Sequence, residues 1–148
     1  MEFNPPPIES GWGQDARSGP ILVWALWFRK TWDALAGTIA PLFWTPVATN
    51  LTVVGAATLT GSYTRVGNVV QFTITVTTTG TTAATAGVTT ITLPVTAADN
   101  AGCQAVEATA ITSLGNGLVA ANTLTLYPPS WAATANAVVI TGTYRTTG

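Results

Sequence analysis

The 148-residue chain has no histidine, a single cysteine, and lysine, arginine, aspartate and glutamate at only 7% of its residues. The missing histidines and the lone Cys103 exclude zinc sites of the usual Cys/His type, a disulfide within the chain, and Ser-His-Asp or Cys-His catalysis. Cys103 itself reads as a small buried apolar residue. Charged residues normally make up about 25% of a globular chain, so this sequence is strongly depleted. Hydrophobic residues reach 47% and the formal net charge is −1, the reverse of a disordered composition on both axes. Five basic residues against six acidic ones leave no phosphate-binding footprint, so nucleic acid is not expected as a partner. No residue cluster points to a metal or a cofactor.

What the chain does contain is unevenly placed. Glu2, Glu9, Asp15, Arg17, Arg29, Lys30 and Asp33 lie in the first 33 positions, whereas Arg65, Asp99, Glu107 and Arg145 serve the remaining 115. Tryptophan follows the same gradient, with Trp12, Trp24, Trp27, Trp32 and Trp44 early and only Trp131 late. Threonine runs the opposite way and fills roughly a fifth of the chain, well above ordinary usage. These shifts divide the sequence into an N-terminal segment, residues 1–44, and a β-rich domain, residues 45–148.

In the first segment, Asn4-Pro5-Pro6-Pro7 predicts an extended arm. A helix is expected over about 19–36, with Ser18 as N-cap, Pro20 near the first turn and Gly37 as the stop. Ile21, Trp24, Phe28, Trp32 and Leu35 fall three or four apart and form one apolar stripe. Val23, Leu26 and Trp27 widen it, and Arg29, Lys30 and Asp33 take the other side. The uncharged run from Gly19 to Phe28 is about half of the roughly 20 residues a membrane-spanning helix needs. Glu2, Glu9 and Asp15 precede it where a secretory signal would carry positive charge. Neither insertion nor secretion is therefore expected. Packing on the chain's own β-domain would use the stripe too, but three tryptophans and a phenylalanine within nine positions suit an interface anchor better. Trp24, Trp27, Phe28, Trp32 and Leu35 are the expected docking residues.

The second segment reads as strands. Val69–Thr77 alternates, with Val70, Phe72, Ile74 and Val76 on one side and Gln71, Thr73, Thr75 and Thr77 on the other. Ala57–Arg65 is its expected hairpin partner across a Gly67-Asn68 turn. Further strands are expected at 89–93, 104–111, 118–125 and 137–144, punctuated by 80–87, 94–102, 114–117 and Pro128-Pro129. Short strands with frequent turn signals predict an antiparallel β-sandwich or jelly roll. The stretch Leu59–Gly67 is echoed by Ile140–Gly148, which would place Tyr63 and Tyr144 in equivalent positions on neighbouring first and last strands.

The run Gly61-Ser-Tyr-Thr-Arg-Val-Gly-Asn-Val-Val-Gln-Phe72 resembles a motif of tailed-bacteriophage fibre and appendage proteins. Thr90-Ile-Thr-Leu-Pro94 and the terminal Ile140-Thr-Gly-Thr-Tyr-Arg145 also fit such domains. The resemblance covers most of 57–148; the N-terminal arm is similar in style to segments that fasten these proteins to a virion. It implies a small virion structural protein, a homotrimer, made in the host cytoplasm and carried on the tail, neck or capsid. It also implies contacts with other virion proteins (portal or adaptor, tail or capsid) through residues 1–44, and for some members contact with host-surface glycans. A receptor-binding module or a capsid decoration protein are the alternatives within this resemblance.

Three functional classes follow. Catalysis would rest on Asp99 and Glu107, but Asx-turn chemistry accounts for Asp99 and an outward strand position for Glu107. Nothing local sets them across a cleft as a carboxylate pair, so the chain is not expected to be an enzyme. A glycan site would use Tyr127 and Trp131 as flat aromatic faces, with Asp99 and Asn100 as polar partners. The simpler account has Pro128-Pro129 turn the chain and Trp131 pack over the end of the sandwich. A structural subunit explains the most: a β-domain with so few charges has little protection against edge-to-edge pairing, and a symmetric oligomer buries those edges.

Overall fold

In the computed structural model, residues 26–31 and 40–147 are described, with the side chains of 133–136 left aside. The chain divides into two compact units, Met1–Ala40 and Pro41–Gly148. In the first, residues 26–31 are helical, within the span expected from the apolar spacing. The rest of that expected helix, the Pro5–Pro7 arm and the Gly37 stop lie outside the described residues.

The second unit is mainly β. Its strands are β1 (Leu42–Trp44), β2 (Ala48–Thr49), β3 (Thr52–Val54), β4 (Ala57–Val66), β5 (Val69–Ala84), β6 (Thr90–Thr92), β7 (Ala101–Glu107), β8 (Thr112–Val119), β9 (Thr125–Tyr127) and β10 (Trp131–Arg145). They form one antiparallel, curled, sandwich-like sheet in the order β1-β4-β5-β10-β7-β8-β9-β6-β2, with β3 also paired to β5. The unit starts at Pro41, four residues before the boundary drawn from composition, because Leu42–Trp44 pair with Tyr63–Gly61 of β4.

Strand β5 organises the domain, and its alternation is the reason. Val70, Phe72, Ile74 and Val76 are buried, while Gln71 and Thr77 stay exposed. Burying such a side chain stabilises by about 1.5–3 kcal/mol, so a shift of one residue would cost the whole set. On one side β5 pairs with β4 through the Gly67-Asn68 turn, where Gly67 has φ 60°. On the other it pairs with β10, burying Val138, Ile140 and Tyr144. The same core takes Ile91, Leu93, Ala97, Cys103, Ala105, Val119, Leu126 and Trp131.

The two ends of the sheet meet at a seam. Strand β1 sits at one end and β2 at the other, joined by Thr45-Pro46-Val47. Thr92 of β6 closes the gap: its N–H donates to Val47 O (3.0 Å), and its Oγ1 accepts from Val47 N–H (2.9 Å). The Trp44 indole N–H also reaches Thr92 O at 3.4 Å. A strand that changes partners in this way is a normal means of folding one sheet over itself.

Several boundaries differ from those expected. Gly80 does not end β5, which runs on to Ala84. The register of the β4–β5 hairpin continues unbroken into β3, with Ala57 opposite Thr78 and Val54 opposite Thr81. That register sets Gly55 (φ 89°) opposite Gly80, where a β-carbon would lie 2.1 Å from Val54 O. Gly80 is thus a point of close strand approach, which glycine also serves. Residues 114–117 are likewise not a turn but the middle of β8, where Gly115 (φ 109°) faces a register shift between Ala105 and Val106.

The strand expected at 118–125 merges the end of β8 with the start of β9. Between them Ala120–Leu124 turn back, with Asn122 at φ 58° and Thr123 Oγ1 donating to Ala120 O (2.8 Å). Strand β7 stops at Glu107 rather than running to 111, and β10 begins at Trp131 rather than 137. The echoed segments are not neighbours: β4 and β10 flank β5 on opposite sides.

Candidate functional site

The four charged side chains of the β-unit are each engaged locally. Asp99 and Arg145 form an ion pair at 3.8 Å, with both side chains about two-thirds exposed, an arrangement worth at most about 1 kcal/mol. Arg65 donates from Nε to Gly67 O at 2.9 Å and braces the hairpin turn. Glu107 does not face outward as the Val-Glu-Ala-Thr run suggested. It continues the inward series Cys103, Ala105, Glu107 and is largely covered. Its carboxylate accepts the Ala110 N–H in the turn that ends β7. That bond leads the causes holding its carboxyl below the ordinary value, assisted by Thr109, with burial opposing.

Cys103 is buried, and desolvation pushes its thiol up to about 11, against a smaller opposing effect of the Gly117 backbone. A thiol so held is not a nucleophile at neutral pH. Burial likewise pushes Tyr144 up to about 12, while its hydroxyl donates to Val95 O at 2.8 Å. Among the described residues no group of three His, Cys, Asp or Glu side chains gathers to hold a metal.

The outward face of the sheet carries a different chemistry. Cross-strand partners line up as Phe43–Ser62–Thr73–Thr141–Gln104–Asn116, a row that crosses six strands. A second row runs Thr60–Thr75–Val139–Val106–Ser113. Neither row contains a charged side chain. Threonine suits these positions because its branched carbon favours the strand and its hydroxyl can remain solvated. Phe43 closes the first row with 79% of its surface exposed.

Beside the far end of this face lies an open groove of about 490 Å³. Asn116, Gly117 and Leu118 of β8, Tyr127 of β9, Pro128, and Ala86 with Gly87 from the 85–88 turn line it. Leu118 pairs directly with Tyr127. Gly117 allows the two strands to close, since a β-carbon there would stand 2.4 Å from Tyr127 O.

The residues expected for a glycan site divide. Tyr127 is half-buried and borders the groove. Trp131 does not offer a face: only 6% of it is exposed, it belongs to the core, and its indole N–H donates to Thr82 Oγ1 at 3.2 Å. Asp99 is paired with Arg145, and Asn100 accepts the Ala121 N–H at 2.8 Å. Neither of these two lines the groove. Asn116 is concealed in the sequence by the Gly-Asn-Gly signal, which reads as a turn, whereas Leu118 opens the strand expected at 118–125.

Of the expected docking residues, Trp27 is half-buried and Phe28 is 60% exposed within the helical segment, their rings 5.1 Å apart edge to face. Trp24, Trp32 and Leu35 lie outside the described residues. No helix among the described residues is long and apolar enough to cross a membrane. Comparison of the chain with protein-family models, with curated proteins and with solved structures finds no match.

Proposed function

We propose that this chain is a structural subunit of a bacteriophage virion. In this reading it is a small oligomeric tail, neck or head appendage, built as a homotrimer in the host cytoplasm. Its aromatic N-terminal segment docks on the particle and its β-domain projects outward.

The observation that carries this reading is the uncharged row Phe43–Ser62–Thr73–Thr141–Gln104–Asn116 across six strands. Soluble monomers ordinarily intersperse charges over such a face, which keeps sheets from associating. A closed symmetric oligomer removes that need by setting copies of the same face in fixed relation. The appendage-like motif supports the same reading: its residues 61–72 build the β4–β5 hairpin on which the core is assembled. So do the local engagements of Asp99, Arg145, Arg65 and Glu107, which give those side chains structural work. For the N-terminal segment, the support is the density of tryptophan and phenylalanine in 24–32, the residue types that anchor interfaces.

The test is incorporation. Virions assembled with the full-length chain should carry it in fixed stoichiometry by mass spectrometry. The triple variant Trp24→Ser, Phe28→Ser, Trp32→Ser should keep its β-domain folded and be lost from particles. Incorporation of the triple variant at the normal level would overturn the docking assignment.

A further inference from the structure

We infer that Ile111, at the tip of the β7–β8 turn, seats in the groove beside Leu118 and Tyr127 of a neighbouring copy of the chain. This knob-to-groove contact rests on the oligomeric reading above and specifies how its copies are joined.

Two features of the knob have no explanation within its own fold. Ile111 is 84% exposed, more than any other large apolar side chain among the described residues. It also has φ 54°, a left-handed conformation that a β-branched residue rarely adopts. Glycine or asparagine would take that conformation at lower cost, yet the position holds an isoleucine that its own chain barely covers. Strain of this kind persists only where the surroundings fix it, and it clusters at functional sites. The turn is fixed in that way. The Glu107 carboxylate accepts the Ala110 N–H, Thr112 Oγ1 donates to Ala110 O at 3.3 Å, and Ala108 N–H donates to Ala137 O at 2.7 Å.

The groove offers the matching chemistry. No lysine, arginine, aspartate or glutamate lines it, so an aliphatic side chain enters without stripping water from a charge. Tyr127, Pro128 and Leu118 give it an apolar wall. Leu118 is 44% exposed, and its partner across the β7–β8 pair is Gly102, which has no side chain to cover it. Ile111 cannot fill the groove of its own chain. Leu118 lies near the far end of β8 (Thr112–Val119), about 20 Å away along an extended strand. Knob and groove are thus complementary surfaces that only a second copy brings together. The contact is head-to-tail, and a closed ring fills every groove with a knob. Asn116 borders the groove and also ends the uncharged outward row, so the contact adjoins the face that the proposed function sets between copies.

The experiment is light scattering of full-length variants across a dilution series. Ile111→Asn removes the knob and suits the left-handed backbone. It should keep its strand content by circular dichroism, while the dissociation constant of the oligomer rises at least about tenfold. Leu118→Lys should weaken assembly similarly from the groove side, and Ile111→Asp from the knob side. The double variant Ile111→Asp, Leu118→Lys should return to within about threefold of the wild-type constant, because its new charges meet across the contact. Where a lysine variant fails to fold, Ile111→Asn alone decides. A folded Ile111→Asn chain that assembles as tightly as wild type would overturn the contact and leave the oligomeric reading standing. So would a folded double variant without recovery. A monomeric wild type would overturn both.

Discussion

Phe72 stands directly opposite Gly142 across the β5–β10 pair, and its ring occupies the space that a β-carbon on Gly142 would need, 2.8 Å from Cε1 and Cζ. The same ring then meets Tyr144, two residues on, at 5.8 Å between centroids. Trp44 repeats the arrangement across β1–β4: it faces Gly61, where a β-carbon would lie 2.6 Å from its ring, and meets Tyr63 at 5.6 Å. An aromatic ring covering a cross-strand glycine is a known way to protect such a position. The sequence echo Gly-x-Tyr is thus one packing unit used twice, on the two strands that flank β5.

The two copies are not equally constrained, which yields a first prediction. Phe72 is 1% exposed, whereas Trp44 is half-buried near the seam. Gly142→Ala should destabilise the domain by about 1–3 kcal/mol through overpacking, and Gly61→Ala by less, because Trp44 can give way. Denaturant unfolding monitored by tryptophan fluorescence measures both. Equal penalties would mean the rings do not set the cost.

Gly80 and Gly102 form a second contrast. A β-carbon on Gly80 meets backbone, Val54 O at 2.1 Å, which no side-chain rotation relieves; one on Gly102 meets nothing within 4 Å. Gly80→Ala should cost more than about 2 kcal/mol and speed amide exchange in Thr52–Val54. Gly102→Ala should be neutral or stabilise by up to about 1 kcal/mol. Thermal melts of the two variants side by side decide the point.

The third prediction concerns acid. Glu107 has its carboxyl held below the ordinary value of 4.5, first by the Ala110 N–H. A depressed folded value contributes stability that is complete above the unfolded value and is lost as pH falls through the folded one. The wild-type protein should therefore lose part of its stability below about pH 4.5, and Glu107→Gln should flatten that limb of the profile by lowering stability at neutral pH toward its acid value. Unfolding midpoints from pH 7 down to pH 2 supply the measurement.

Cys103 gives a fourth. With its thiol raised to about 11 by burial, the native protein should resist iodoacetamide at neutral pH and react only after denaturation. Stoichiometric labelling of the folded chain at a rate like that of a free thiol would contradict its place in the core.

The legible part of this fold lies where one physical signal dominates. The alternation from Val70 to Val76 specified β5, its buried face and, with Gly67-Asn68, the hairpin register. The misread parts share a cause: glycine serves both to turn a chain and to let two strands approach closely. Gly80 and Gly117 do the second, so the sequence predicts a break at Gly80 inside β5 and a turn at 114–117 inside β8. The turn at 120–124 had no glycine or proline to announce it, being built on Asn122 in a left-handed conformation and the Thr123 hydroxyl. Of the residues around the groove, Tyr127 is readable as a candidate aromatic and Leu118 as the start of a strand, whereas Asn116 becomes visible only once β8 is paired. Trp131 was ambiguous in sequence because only its distant neighbour Thr82 satisfies its indole.

The central claim is that the uncharged hydroxyl face works among copies of the same chain. The most direct measurement is the mass of the purified full-length chain in solution by light scattering across a dilution series. A closed oligomer should persist, with three times the monomer mass at every concentration. A monodisperse monomer throughout that range would contradict the account.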